Sequence, residues 1–428
     1  MEGIALAGKG CNDHELAALT KMIRSHEEYL EKQGDATNDR AFAALKALSV
    51  QYRRALRVCL DDWREDIDHN DGDGIDKKNY DLLRTMLSLL HISDIFLPLL
   101  VRREPYEMMA YESNQLDGPG VATADTVRYL RHHLLGKPCG EYDDAVLDEM
   151  LKSAFPEEFG DGQLYWKYVT KLLLRGCLEE VWEVLSKHSW YKKSARAAEY
   201  PQEDAENREQ SHLQARLEEA YYDFMVLKDI LSRAPLPGGR NTLFDDGLTS
   251  PEEDNDIDDA AYHLDDLDID PSDYTLWELG VMSETPGEAF TAESAAIERH
   301  KLFTNYVKDL RRRGFRLCRR VPEIQGILSI LCGDFSVVVF DFWAEKLCAE
   351  LLYCHPNLRP SRISERARSI MKECPVEEDA KMHYECLLDI MEGNAGRALQ
   401  MMWVAGGAGQ AALPNTVVSA ACALGRLT

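Results

Sequence analysis

The 428 residues carry 49 Lys plus Arg against 75 Asp plus Glu, a formal charge of -26, with 45% hydrophobic and 9% aromatic side chains. That apolar content is enough to bury a core of two or three domains, or of one elongated array, and excludes a chain that is disordered throughout. The acidic balance argues against direct DNA or RNA binding, because that affinity comes largely from Lys and Arg displacing counterions from phosphates.

Residues 1–12 contain three glycines and lack the basic and apolar regions of a secretion signal, so they read as a flexible leader. Gly3 to Gly10 has the outline of a phosphate-binding loop, but no strand precedes it and glycine stands where the magnesium-binding Ser or Thr should follow Lys9. Apolar residues at intervals of three and four then predict helices over 13–33, 39–64, 77–101, 123–135 and 143–153. Between the second and third lie Asp66, Asp68, Asn70, Asp71, Asp73 and Asp76, spaced somewhat like the oxygens of an EF-hand. Asp71 stands where the sharp turn needs glycine, and Lys77 where the bidentate Glu belongs. The loop therefore reads as a solvated acidic connection, with calcium binding as the alternative.

Helices over 163–175 and 178–188 come next. The stripe Tyr165, Tyr168, Val169, Leu172, Leu173 stops at Gly176, a residue suited to a left-handed C-cap, and Leu178, Val181, Trp182, Leu185 begin another at once. A tight αα-hairpin is expected there. A helix over 211–232 follows, with Leu213, Leu217, Ala220, Tyr221, Phe224, Leu227 and Leu231 on its buried stripe and Arg216, Glu218, Glu219 and Asp223 largely outside it. From Asp245 to Asp270 there are 12 acidic residues and no Lys or Arg, so 236–290 reads as a disordered insertion, a spacer or a docking tail for a basic partner.

Beyond it, helices are predicted over 292–313, 322–332, 335–354, 361–373, 377–391 and 395–404. Ile327, Ile330 and Leu331 run to Gly333, after which Asp334 is expected to cap a helix carrying Phe335, Val338, Val339, Phe342 and Trp343. Val337 to Phe340 is locally β-rich, yet fits that helical stripe. The most apolar stretch, Gly326 to Phe342, is interrupted by Asp334 and Asp341 and is too short for a bilayer span. Gly407 to Ala412 follows a helix rather than a strand and fails as a dinucleotide-binding turn. Val417, Val418, Ala421 and Leu424 start another stripe, as if the chain were truncated at Thr428.

The expected class is all-α: an irregular α-solenoid of helix hairpins in two parts, 13–235 and 291–428, around the acidic insertion. No repeat signature of fixed period recurs. The eleven scattered cysteines, with no CxxC pair, suit a reducing compartment such as cytoplasm or nucleus. Cys354 and His355 with Cys348, Cys374 or His383 have no diagnostic ligand spacing. Trp63, Trp166, Trp182, Trp343 and Trp403 sit on helical stripes and read as core. No catalytic, cofactor-binding or metal-binding residue is assigned.

Two segments go beyond generic pattern. Tyr165-Trp166-Lys167-Tyr168-Val169 through Gly176 and Trp182 to Ser186 resembles the helix hairpin of the 85-kilodalton nucleoporin family of the Y-shaped pore complex. Leu331-Cys332-Gly333-Asp334, Trp343, and Leu351-Leu352-Tyr353 with Pro356 and Pro360 resemble that family's Leu-x-Gly-Asp turn and its Leu-Leu-Tyr-x-x-Pro segment, in the same order. The resemblance extends over 13–404 apart from the insertion. It implies a non-enzymatic scaffold related to vesicle-coat proteins, at the nuclear pore in the nuclear envelope, supporting transport and messenger-RNA export. The implied partners are other Y-complex nucleoporins and a β-propeller joined through an extended N-terminal segment. Gly3 to Cys11 has no alternating apolar pattern, so that propeller contact is not expected of these residues. A vesicle-coat or trafficking adaptor is the alternative.

Overall fold

The computed structural model describes residues 121–135, 144–160, 162–199, 208–237, 292–374, 378–394, 396–398 and 400–401, with single positions between 57 and 96. The leader, the acidic loop at Asp66 to Asp76, the insertion, Gly407 to Ala412 and the last stripe lie outside the described residues. Every regular element among those described is helical.

Helix α1, Val121–Tyr129, runs into a π-helical turn, Leu130–Leu135. The Tyr129 hydroxyl shares a hydrogen bond of 2.7 Å with Ser88 Oγ, and His133 Nε2 lies 2.9 Å from His91 Nδ1, tying this turn to the helical positions before it. Helix α2, Asp144–Lys152, leads through a 3-10 turn, Pro156–Glu158, to α3, Gln163–Leu174, and α4, Leu178–Leu185. Helices α5, Ser189–Glu199, and α6, Arg208–Arg233, form a second antiparallel pair that packs on α4. Helix α7, Ala292–Arg313, and a 3-10 turn, Arg316–Arg319, precede α8, Ile324–Leu331, and α9, Trp343–Tyr353. Helices α10, Pro360–Glu373, and α11, Glu378–Met391, continue the stack.

Neighbours in sequence pair as hairpins, as an α-solenoid requires, but the chain also doubles back. Helix α3 packs against both α8 and α9, and α1 packs against α9 and α10. A single apolar cluster therefore runs from Leu89 to Ala398 across both parts of the chain. Rings lock the α3 to α6 end: Trp182 meets Tyr191 edge-on at 5.3 Å, and Tyr191 meets Phe224 at 5.4 Å.

The hairpin predicted at Gly176 is present and its turn is a Schellman motif. Gly176 has φ +72°, its N–H donates to Leu173 O at 2.9 Å, and the Cys177 N–H donates to Leu172 O at 3.0 Å. The same pattern closes α8 at Gly333, where Asp334 N–H donates to Ser329 O at 2.9 Å.

Four expectations need correction. The helix placed over 335–354 begins only at Trp343. Asp334 does not cap it: Oδ1 accepts from the Ser336 N–H at 3.1 Å and the Ser336 hydroxyl at 2.6 Å, closing a turn on itself. The β-branched run Val337 to Val339 then continues without helix. Second, the helix over 178–188 ends at Leu185, and α5, unpredicted, starts at Ser189. Third, Leu213 is 55% exposed and lies off the buried stripe of α6. Fourth, Asp223, expected outside that stripe, is buried. Arg316 reaches across to it, Nη2 lying 3.5 Å from its carboxylate.

Candidate functional site: the seam between α3 and α9

The stretch where the two parts of the chain meet is built from the C-terminal turn of α3 and the length of α9. Both are almost wholly apolar on the facing side, with Val169, Leu172, Leu173, Leu347, Leu351 and Leu352 buried. The apolar faces are held in register by a few polar contacts. Tyr353, at the end of α9, donates its hydroxyl to Leu173 O at 2.6 Å, one of the carbonyls that the end of α3 presents. A Cβ added at Gly176 would lie 3.0 Å from Leu352 Cδ1, so the turn must be bare of side chain for α9 to approach.

Charge is placed with equal economy. Glu345 on α9 is buried, and Lys171 on α3 reaches it with Nζ 2.9 Å from Oε2. Arg175, also buried, brings Nη2 within 3.6 Å of Oε1. A carboxylate this enclosed needs the compensation of such cations. On the far side of the seam Arg131 Nη2 donates to Cys177 Sγ at 3.1 Å. At its end, Thr123 Oγ1 donates to Leu358 O at 3.4 Å and accepts from the Leu358 N–H at 3.1 Å, joining α1 to the turn after α9. Arg366 on α10 pairs in a fork with Glu350 on α9 at 2.5 and 2.6 Å.

The titratable groups here suit packing rather than chemistry. Burial pushes the Cys177 thiol up to about 11 and Cys348 up to about 12. Both are protonated at neutral pH and poor nucleophiles. Burial likewise raises Tyr353 well above the ordinary phenol range. Elsewhere, burial and the charge of Arg84 lower His383 to about 4, which leaves it neutral. Asp223 is the exception among these: burial raises it to about 6, against the opposing pull of Arg316 and Arg320. It belongs to an ion-pair joint in which Glu219 takes Arg316 and Arg320 at 2.6 Å each. That joint fixes α6 to the 316–319 turn.

A third polar cluster anchors α5. Glu157 Oε2 accepts the Ser189 N–H at 3.2 Å, Oε1 accepts the Ser189 hydroxyl, and His188 Nδ1 accepts the Trp190 N–H at 3.1 Å. Although it combines Ser, His and a carboxylate, the serine bonds the carboxylate and not the imidazole, so it caps a helix instead of activating a nucleophile. Burial would raise Glu157, but the Ser189 hydroxyl outweighs it with the help of nearby amides and His188, and its carboxyl lies below the usual range.

The residues weighed as ligands are not brought together. Cys348 lies inside α9, Cys354 follows it with Sγ turned to Gly333 O at 3.6 Å, Cys374 closes α10, and His383 stacks on Tyr384 in α11. Among the described residues, no group of three or more His, Cys, Asp or Glu is placed to hold a metal ion. The depression beside α2, lined by Ala145, Glu149, Lys152 and Phe159, lies open to solvent rather than forming a cleft. No described helix is long and apolar enough to cross a membrane. Trp343 is buried, and Trp166 and Trp182 pack against the core. Sequence reasoning missed Glu345, Asp223 and Glu157, because each looks like an ordinary surface acid until its partner, far away in the chain, is in place.

The arrangement can do mechanical work: it makes two stretches of solenoid one body. Residues 14–206 match the profile of the Nup85 nucleoporin family, a span that includes α1 to α5 and the α3 to α4 hairpin. The chain thus resembles that family over this span. No curated protein matches the chain.

Proposed function

We propose that this chain, similar to Nup85 nucleoporins over residues 14–206, is a structural subunit of the nuclear pore scaffold, acting in the Y-shaped complex at the nuclear envelope. The reading is of a non-enzymatic protein whose two helical parts, 13–235 and 291–428, flank the acidic insertion 236–290. Its partners are other scaffold nucleoporins, and its role in transport and messenger-RNA export is that of the framework on which those processes depend. The observation that carries the reading is the seam itself. An α-solenoid that folds back so that α3 is clamped by α8 and α9 resists bending at the joint, which a load-sharing strut needs and a flexible adaptor does not.

The test is to tag the chain at its own locus, image it, and purify what accompanies it. Labelling of the nuclear rim together with pore scaffold subunits is expected. Cytoplasmic puncta accompanied by vesicle-coat subunits would overturn the reading in favour of a trafficking adaptor.

A further inference from the structure

Between α8 and α9 the chain runs through Val337-Val338-Val339-Phe340-Asp341-Phe342, a segment that is not helical and has no strand partner among the described residues. Its side chains nevertheless alternate. Val338, Phe340 and Phe342 are half-buried and pack against the core, while Val337 is 59% and Val339 87% exposed and Asp341 is exposed as well. Period two is the signature of a strand with one face on the core and one in water. Phe340 meets Phe335 edge-on at 5.7 Å, and Phe342 meets Trp343 at 5.9 Å and Tyr384 at 6.0 Å, so the inner face is pinned. Phe342 itself has φ -135° and ψ 130°. The N–H groups of Val339, Phe340 and Asp341, and the carbonyls from Val337 to Asp341, have no hydrogen bond among the described residues.

A pinned, non-helical backbone between the turn at Val337 and the bend at Asp341, with two exposed β-branched side chains and with donors and acceptors that have no partner among the described residues, is a template for an added strand. We infer that residues 337–341 are a docking edge for an extended segment of a partner protein, which pairs by backbone hydrogen bonds. Side chains on the solvent face set the partner's chemistry. β-Branched residues pack opposite Val337 and Val339, and a Lys or Arg lies opposite Asp341. Charge favours this occupant over the chain's own segments or a second copy. The chain carries -26, and its acidic run from Asp245 to Asp270 has the same sign as Asp341. The proposal does not depend on the pore assignment.

The test uses the full chain and a fluorescent, end-capped peptide, Lys-Thr-Val-Thr-Val-Thr-Lys, whose sequence reads the same in both directions and therefore suits either strand polarity. Saturable anisotropy is expected, with amide exchange at 339–341 slowed when the peptide is added. N-methylation of alternate peptide amides should weaken binding at least tenfold. Val339→Pro, which removes one donor and a side chain outside the core, should do the same with unchanged helical circular dichroism. If that variant misfolds, the exchange measurement on the unaltered chain decides. Equal affinity for the N-methylated peptide, or no slowing at 339–341, would overturn the inference. So would dimerisation of the chain that Val339→Pro abolishes, since the edge would then belong to a second copy.

Discussion

At Gly176 two constraints coincide, a left-handed backbone and a neighbouring Leu352, and glycine meets both at once. A side chain at positive φ costs about 1–2 kcal/mol, and a β-branched one must also push Leu352 aside. Gly176→Val is expected to lower stability by about 2 kcal/mol or more in urea denaturation, with Gly176→Ala losing less. Asp223 offers the opposite sign. Burial holds its folded-state pKa at about 6, above the ordinary 3.8, so its relative contribution is present below pH 4 and lost as pH rises through 6. At pH 7.5 Asp223→Asn should therefore melt higher than the parent chain. At pH 4 the two should coincide, because the parent side chain is then neutral too. A variant that melts lower at both values would show that the attraction to Arg316 outweighs the burial.

Among elements, α3 and α4 were legible from sequence because their stripes are made of Leu, Val and aromatic residues and their turn of glycine. Helix α5 was not, because its buried face rests on Ser189, Ser194 and Ala197, small residues that leave little hydrophobic signal, and its cap comes from Glu157, 32 positions earlier. The 335–342 segment misled for the converse reason. Its apolar residues fit a helical stripe as well as an alternating one, and only the Asp334 turn and the β-branched run decide between them. The seam was half legible: its apolar residues were expected core, whereas the pairing of α3 with α9 depends on contacts across 174 and 180 positions that no local pattern carries. Glu345→Gln leaves two cations facing a neutral amide, and a loss of about 3 kcal/mol is expected, read as a lower midpoint at unchanged slope. Tyr353→Phe removes a single hydrogen bond while Leu173 O keeps the Gly176 donor, so about 1 kcal/mol is expected.

For the whole molecule, stability should fall as pH drops below neutrality. Burial holds His383 at about 4 and lowers His188 as well, so the unfolded chain takes up these protons first. Stability is full above the ordinary histidine pKa near 6.5 and declines as pH falls below it. His383 alone corresponds to about 3 kcal/mol once pH reaches 4. Replacing it in His383→Gln should flatten the acid limb of a melting-temperature profile while leaving pH 8 little changed. A charge of -26 works in the other direction near neutrality, because like charges repel in the compact state. Moderate salt, which shortens the Debye length to about 8 Å at physiological strength, should raise the melting temperature at pH 8.

The clasp between Tyr353 and Leu173 also sets a timetable for synthesis. The two residues are separated by 180 positions, so at about 5–20 residues per second the ribosome delivers the second roughly 10 to 40 s after the first. For most of that interval the Leu172 and Leu173 side of α3 has no α8 or α9 to cover it. Nascent chains should therefore recruit holding chaperones soon after α3 emerges and release them once Tyr353 is out. Ribosome profiling of chaperone-bound nascent chains would display this as a window opening near residue 174 plus the tunnel length and closing past residue 353.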